Sequence, residues 1–379
     1  MNQLVWHGTL PAMADLPSRP KPARRRRGGK RVTLKTVAEM LNLSPATVSI
    51  VLNRSPVADS IPQETKERVF AAARQLDYRP NYLARSLRGK RSFSVGVLVP
   101  EVSEGYASGV MSGIEDHLIE GGYFYLIASH RGKPELLAEY LNQLEDRSVE
   151  GFILVAAQIE TPPRLPTIAV SGHRRLEGVT NVVVDHDKAV TQALSHLVEL
   201  GHERIAFLRG ATDNVDAEER WRTIERVADQ LGIAIRPELA PQLVGSRYGA
   251  VFSPEEGYQE GYSYGQKLLA NGAVRGASKP DFTALFAFND VSAIGAMRAF
   301  LDAGLRIPED VSVVGFDDIQ SAAFHNPSLT TVRQPLREMG VSAGEILLQR
   351  LSGRGSYPDF VTVEPQLRVR ASTGPVRSD

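Results

Sequence analysis

The alternation of short apolar runs with helical stretches, from Phe93 to about residue 370, constrains this chain most. The runs are Phe93–Pro100, Phe124–Ala128, Gly151–Val155, Thr167–Val170, Asn181–Val184, Arg204–Leu208, Ala284–Ala287 and Ser312–Phe316. Each is four to eight residues long and mostly β-branched or aliphatic, as in parallel strands covered on both faces. Between and after them, helical periodicity fits Tyr106–Glu120, Pro134–Leu144, Lys188–Leu200, Glu218–Leu231, Pro254–Asn271, Asp290–Ala303 and Leu336–Leu351. Repeated strand–helix units give doubly wound parallel sheets. The stretch is roughly 280 residues, too long for one such sheet around one core, so two similar lobes are expected. Val361–Val363 and Leu367–Val369 read as closing strands, and Ala371–Asp379 as a fraying tail.

The chain before Phe93 differs in kind. Residues 1–91 carry 18 Lys/Arg against 6 Asp/Glu, a net +12, while the remainder carries 26 against 38, a net −12. The overall charge of zero therefore hides a basic head on an acidic body, and such a head suits a polyanion. Residues 1–31 contain four Pro and the run Lys21 to Arg31, rich in Arg. They read as a disordered arm, either adding phosphate or minor-groove contacts or simply solvated.

Thr33–Asn53 reads as two short helices around a tight turn. Leu34, Val37, Ala38 and Leu41 recur at helical spacing, the chain breaks at Asn42-Leu43, and Ser44-Pro45 restarts a helix whose inner side is Val48, Val51 and Leu52. Ser at the cap and Pro at the first helical position are the chemistry of a helix start. Thr33 caps the first helix in the same way. The spacing fits a helix-turn-helix, whose second helix enters a DNA major groove. A third helix, Pro62–Leu76, brings Val69, Ala72, Ala73 and Leu76 to the same core. A fourth, Tyr82–Arg88, is capped by Asn81 and ended by Gly89. At about two turns it is too short to hold itself together in water.

Several separated segments carry a resemblance to the lactose-repressor/galactose-repressor (LacI/GalR) family of bacterial transcription regulators. They include Ser44-Pro45-Ala46-Thr47-Val48-Ser49, Asp77-Tyr78-Arg79-Pro80-Asn81, His196 to Phe207, Phe288-Asn289-Asp290, Pro308 to Asp318 and Leu329 to Pro335. The resemblance covers about residues 32–373. It implies an all-α helix-turn-helix head plus hinge helix, joined to a two-lobed α/β periplasmic-binding-protein-like domain. It divides the chain into an arm (1–31), the head (32–80), a hinge helix and linker (81–91), an effector-binding and dimerisation domain (92–373) and a tail (374–379).

By position, the resemblance implies base reading by Pro45, Ala46, Ser49 and Ile50, and phosphate contacts from Thr33, Leu34, Ser44, Thr47 and Asn53. Leu87 would wedge into the minor groove, with Ala84 and Arg88 lining it. Ile50 departs from the polar residue of many relatives, and an aliphatic side chain reads by apolar contact, as with a thymine methyl. The effector positions implied are Tyr106, Ser171, Arg220, Phe252, Asn289 and Asp317. An aromatic face with Asn, Asp and Arg suits the C–H side and paired hydroxyls of a sugar.

The expected function is a repressor of carbohydrate-utilisation genes, controlled by a sugar and binding a pseudo-palindromic double-stranded operator as a homodimer. The alternatives are a regulator answering to a purine or nucleoside, a sugar receptor without a DNA role, and an enzyme on a nucleotide-binding fold. Gly261-Tyr-Ser263-Tyr-Gly265 matches the hydrolase elbow in spacing, but its surroundings read as helix, where an elbow needs a strand before it. No P-loop, G-x-G-x-x-G after a strand, or metal-binding histidine spacing occurs. No catalytic residue, cofactor or metal is expected. The chain has no Cys, no secretion signal and no apolar run near the ~20 residues of a membrane span, and a cytoplasmic location is expected.

Overall fold

A computed structural model describes residues 32–52, 56–78, 91–102, 105–211, 214–243, 254–272, 280–353 and 357–376. The chain forms two compact units, Met1–Arg85 and Ser86–Asp379. The expectations placed on the arm, on Asn53, on the hinge residues Ala84, Leu87 and Arg88, and on Phe252 lie outside the described residues.

In the first unit, α1 (Leu34–Leu41), α2 (Pro45–Leu52) and α3 (Gln63–Gln75) pack around Val37, Ala38, Val48, Val51, Val69 and Ala72. Thr33 and Thr36 form a reciprocal cap at the start of α1: each backbone N–H donates to the other's hydroxyl. Asn42 ends the helix in the left-handed region at φ 53°, a conformation its short polar side chain tolerates. Ser44 then accepts the Thr47 N–H at 3.0 Å, and Pro45 opens α2. The tight turn follows from these two caps.

The second unit contains two sheets. The first has the order β10-β5-β4-β3-β1-β2, with β1 Ser94–Val99, β2 Phe124–Ser129, β3 Phe152–Val155, β4 Thr167–Val170, β5 Val179–Val184 and β10 Phe360–Val363. Every pairing in it is parallel. The second has the order β11-β9-β8-β7-β6, with β6 Ile205–Leu208, β7 Ala284–Ala287, β8 Ser312–Asp317, β9 Thr330–Arg333 and β11 Gln366–Arg368. Here only β11 pairs antiparallel.

Helices cover both faces of each sheet. In the first lobe, α4 (Tyr106–Glu120) and α11 (Leu336–Leu351) close one core and α5 (Pro134–Asp146) the other. In the second, α6 (His186–Glu199) and α7 (Val215–Gln230) cover one face, and α8 (Pro254–Asn271) and α9 (Asp290–Asp302) the other. The chain passes between lobes three times: from β5 to α6, from β9 to α11, and from β10 to β11.

Within the described residues the expected strands and helices form, with ends within three residues of those expected, while the expected fourth helix, Tyr82–Arg88, lies outside them. Four described elements were not expected: the strand Thr330–Arg333, α10 (Gln320–Phe324) and the short 3-10 helices Pro56–Ser60 and Pro237–Leu239. Thr-Thr-Val-Arg holds one aliphatic residue, and its burial comes from β8 and β11 beside it rather than from its own pattern. The tail does not fray over its described part. Ser372 is buried, accepts the Thr330 N–H at 2.7 Å and donates to the Val313 carbonyl at 2.6 Å. His202 is buried against Thr283, Ser312 and the Gly374 carbonyl. Among the described residues no helix is long and apolar enough to cross a membrane.

The Gly-x-Ser-x-Gly match resolves as helix packing. It lies inside α8, where exposed Ser263 donates to the Gln259 carbonyl one turn back. A Cβ on Gly261 would stand 2.3 Å from the Ser292 carbonyl oxygen of α9. The glycines thus let two helix backbones touch, and the strand an elbow needs is replaced by helix.

Candidate functional site

On the first unit, the residues singled out for DNA lie along α2 and at the two helix starts. Thr33, Ser44, Pro45 and Ala46 are exposed; Leu34, Thr47, Ser49 and Ile50 are half-buried. Ser44 and Thr47 share a side-chain hydrogen bond of 2.9 Å. α2 has the sequence PATVSIVL, without a charged side chain. Its buried side is Val48 and Val51, and Ile50 stands outside that core. What this helix can offer a groove is hydroxyl and methyl, not a guanidinium fork.

On the second unit, the carboxyl ends of the first-lobe strands frame a cavity of about 460 Å³, within the range of small-ligand sites. Lining it are His130 after β2, Ala156 after β3, Ser171 and His173 after β4, and Asn214 and Asp216 at the start of α7. Arg131, Ala156 and Ser171 all have φ between 47° and 55°, and Asp317 at the end of β8 has φ 112°. Left-handed non-glycine residues cost about 1–3 kcal/mol each and gather where function holds the backbone.

Four of the expected effector residues share one neighbourhood. Tyr106, the first residue of α4, and Ser171 share a hydrogen bond of 2.6 Å between their hydroxyls. Arg220 is 2% exposed. Its Nη2 donates to Asp216 Oδ2 at 2.6 Å and its Nη1 to the Phe288 carbonyl. Its guanidinium lies 3.6 Å from the centre of the Phe316 ring and 4.8 Å from that of Phe288. Asp317 is buried and accepts from Gln334 Nε2 at 2.7 Å. Burial pushes the Asp317 carboxyl up to about 7, against the pull of Arg220 and Gln334. Burial also raises the Tyr106 phenol, with Asp216 adding to the rise. For Asp216, burial works upward, but His186, Arg220 and His173 more than reverse it and hold the carboxylate well below its usual range.

Among the described residues, the expected effector positions do not share one cavity. Ser171 lines the large one, and Asp317 lines a second of about 310 Å³ with Asp318, Arg333 and Gln334. Asn289 caps α9, accepting the Ser292 N–H at 2.9 Å, and lines a small recess with Phe288 and Asn214. Residues not singled out from sequence are His130, His173, Asn181, His186, Asn214 and Asp216. Asp216 stands four residues before Arg220, a helical pair visible in the sequence. Nothing in spacing joins His173, His186 and Asp216, which the fold gathers.

A helix-turn-helix unit, followed by two α/β lobes with a ligand-sized cavity at strand ends, defines a class: a DNA-binding transcription regulator with a small-molecule-binding body. Family models agree along the chain. Residues 33–81 match the model for bacterial regulatory proteins of the lacI family. Residues 92–238 match periplasmic binding proteins and the sugar-binding domain of the LacI family, and residues 194–373 a periplasmic binding protein-like domain. The HTH-type transcriptional repressor PurR of Aliivibrio fischeri strain MJ11 is 30% identical over 348 residues, covering 90% of this chain and 98% of the relative. The chain belongs to the LacI family. Among solved structures, the lac repressor dimer bound to operator and the anti-inducer ONPF superposes with a TM-score of 0.77 and 26% identity, covering 91% of this chain and 100% of that one. The transcriptional regulator CelR–cellobiose complex does so with a TM-score of 0.63 and 28% identity, covering 90% and 100%. The family is one of transcriptional regulators rather than enzymes.

Proposed function

We propose that this regulator represses carbohydrate-utilisation genes in the cytoplasm as a homodimer on a pseudo-palindromic operator, and that a sugar sets its DNA affinity. The head would read bases through Pro45, Ala46, Ser49 and Ile50, and hold phosphates through Thr33, Leu34, Ser44, Thr47 and Asn53. Ala84, Leu87 and Arg88 would act in the minor groove. The effector would meet Tyr106, Ser171, Arg220, Phe252, Asn289 and Asp317. The protein carries out no catalysis in this reading.

The observation that carries the sugar assignment is the lining of the large cavity. Ser171, the expected effector residue that lines it, stands there with His173, Asn181, Asn214 and Asp216 as donors and acceptors. Donors and acceptors of this kind suit the paired hydroxyls of a polyhydroxyl ligand. The cellobiose complex of CelR points the same way; the likeness to PurR points to a purine instead. A thermal-shift screen of sugars, nucleosides and purines separates them. A sugar hit supports the proposal, and stabilisation by purines alone overturns the effector assignment.

A further inference from the structure

Two imidazoles converge on one carboxylate oxygen beside the large cavity. His173 Nε2 lies 2.8 Å from Asp216 Oδ1, and His186 Nε2 lies 3.1 Å from the same atom. The rings stack with centroids 5.5 Å apart and planes at 29°. All three ligand atoms fall within 4.8 Å of one another, and this is the group of its kind found among the described residues. His186 and Asp216 are buried and His173 is half-buried. We propose that His173, His186 and Asp216 form a binding site for a divalent first-row transition-metal ion.

Two neutral nitrogens and one carboxylate oxygen, with no thiolate in the chain, suit zinc, cobalt, nickel, iron(II) or manganese. Magnesium and calcium prefer all-oxygen shells. Ligand atoms about 2.0–2.1 Å from a tetrahedral ion lie about 3.3–3.5 Å from each other. The two nitrogen-to-oxygen separations, 2.8 and 3.1 Å, are therefore a few tenths of an ångström tighter than the bound geometry. His173 follows β4 on a loop beside the cavity, where its ring has room to open. His173 and Asp216 both line that cavity, so a fourth position faces it. Three protein ligands with one open position is the pattern of exchangeable sites.

Arg220 holds the other oxygen of Asp216 at 2.6 Å. It orients the carboxylate as an outer partner does, and its charge weakens affinity for a cation. His186 Nδ1 is buried without a hydrogen-bond partner, so that ring lacks the usual outer support. Both features place the affinity below that of a closed structural zinc site.

The placement gives the ion a consequence. His173 belongs to the first lobe, His186 opens α6 just past the first crossover, and Asp216 lies on α7 of the second lobe. A bound ion ties the lobes together and favours the arrangement in which the three meet.

The test is calorimetric titration of chelator-treated, full-length protein with Zn2+ alone, with Co2+ absorption as a spectroscopic check on coordination. One ion per chain is expected, together with a rise in Tm and visible absorption from bound Co2+. His173→Ala and His186→Gln should each weaken binding at least about tenfold and abolish the Co2+ signal. His325→Gln should leave both unchanged. His173→Ala decides the matter if His186→Gln fails to fold, since its ring is only half-buried. Titrations of folded His173→Ala that superimpose on wild type, or no stoichiometric binding, would overturn the site.

Discussion

Replacing Arg220 with Met tests the charge cluster in the body. Arg220 is 2% exposed and Asp216 7%. The substitution keeps most of the volume but removes the guanidinium on Asp216 Oδ2, 2.6 Å away, and the cation 3.6 Å over Phe316. Breaking a buried pair from one side costs about 3–5 kcal/mol, because the partner charge stays desolvated. The lost cation–π contact, about 2 kcal/mol when desolvated, overlaps with that figure, since both describe one buried charge. The two histidines still donate to Asp216 Oδ1 and soften the loss. The expected destabilisation is therefore about 3 kcal/mol. Trp221, next in sequence and packed at the same core, reports it in equilibrium urea unfolding. Arg220→Met/Asp216→Asn leaves no buried unpaired charge, so the double variant should cost at least about 1 kcal/mol less than the sum of the singles. A loss below about 1 kcal/mol for Arg220→Met, or strict additivity, would show that Arg220 and Asp216 do not form a desolvated, mutually dependent pair.

Other consequences follow from the same geometry. Gly295→Ala places a Cβ 2.2 Å from the Tyr258 carbonyl oxygen, and forcing α8 and α9 apart should cost more than about 2 kcal/mol in thermal unfolding; wild-type stability would show that the helices are not in contact. Asp317 stands at about 7 in the folded protein against about 3.9 when unfolded. Its contribution to stability is thus complete below about pH 4 and lost as pH rises through 7, a swing of about 4 kcal/mol at most. Asp317→Asn should flatten that part of the stability–pH profile, and an unchanged profile would contradict it. Ile50→Arg should change the bases chosen in an operator selection, whereas Thr47→Ala should weaken all sites alike; an unchanged preference for Ile50→Arg would exclude Ile50 from base reading.

Much of the fold is legible because its signals are local. Tyr106–Glu120, Pro254–Asn271 and Leu336–Leu351 keep helical periodicity from end to end, and Thr167–Val170 and Ala284–Ala287 are short aliphatic runs between breaks. Thr33 and Ser44 announce their helix starts by type and position. The unexpected features depend on residues far apart. Thr330–Arg333 is a strand because β8 lies beside it, and residues 371–376 are ordered by Val313, Thr330 and Leu200. The site shows the same division. Arg220 stands beside Glu218 and Glu219, where a surface charge is a second reading of the sequence, and the packing of α7 on β8 and Phe288 buries it. His173, His186 and Asp216 come from three loops and helix starts, and no sequence period connects them.

In the proposed switch, a small molecule in the body controls DNA binding by the head. The direct measurement is operator affinity of the full-length protein, by fluorescence anisotropy at fixed salt, without and with a saturating sugar from the stability screen. Coupling of about 1–3 kcal/mol is typical of such switches, so affinity should change at least about fivefold, in either direction. A sugar that saturates and stabilises the body while operator affinity stays the same would contradict the account.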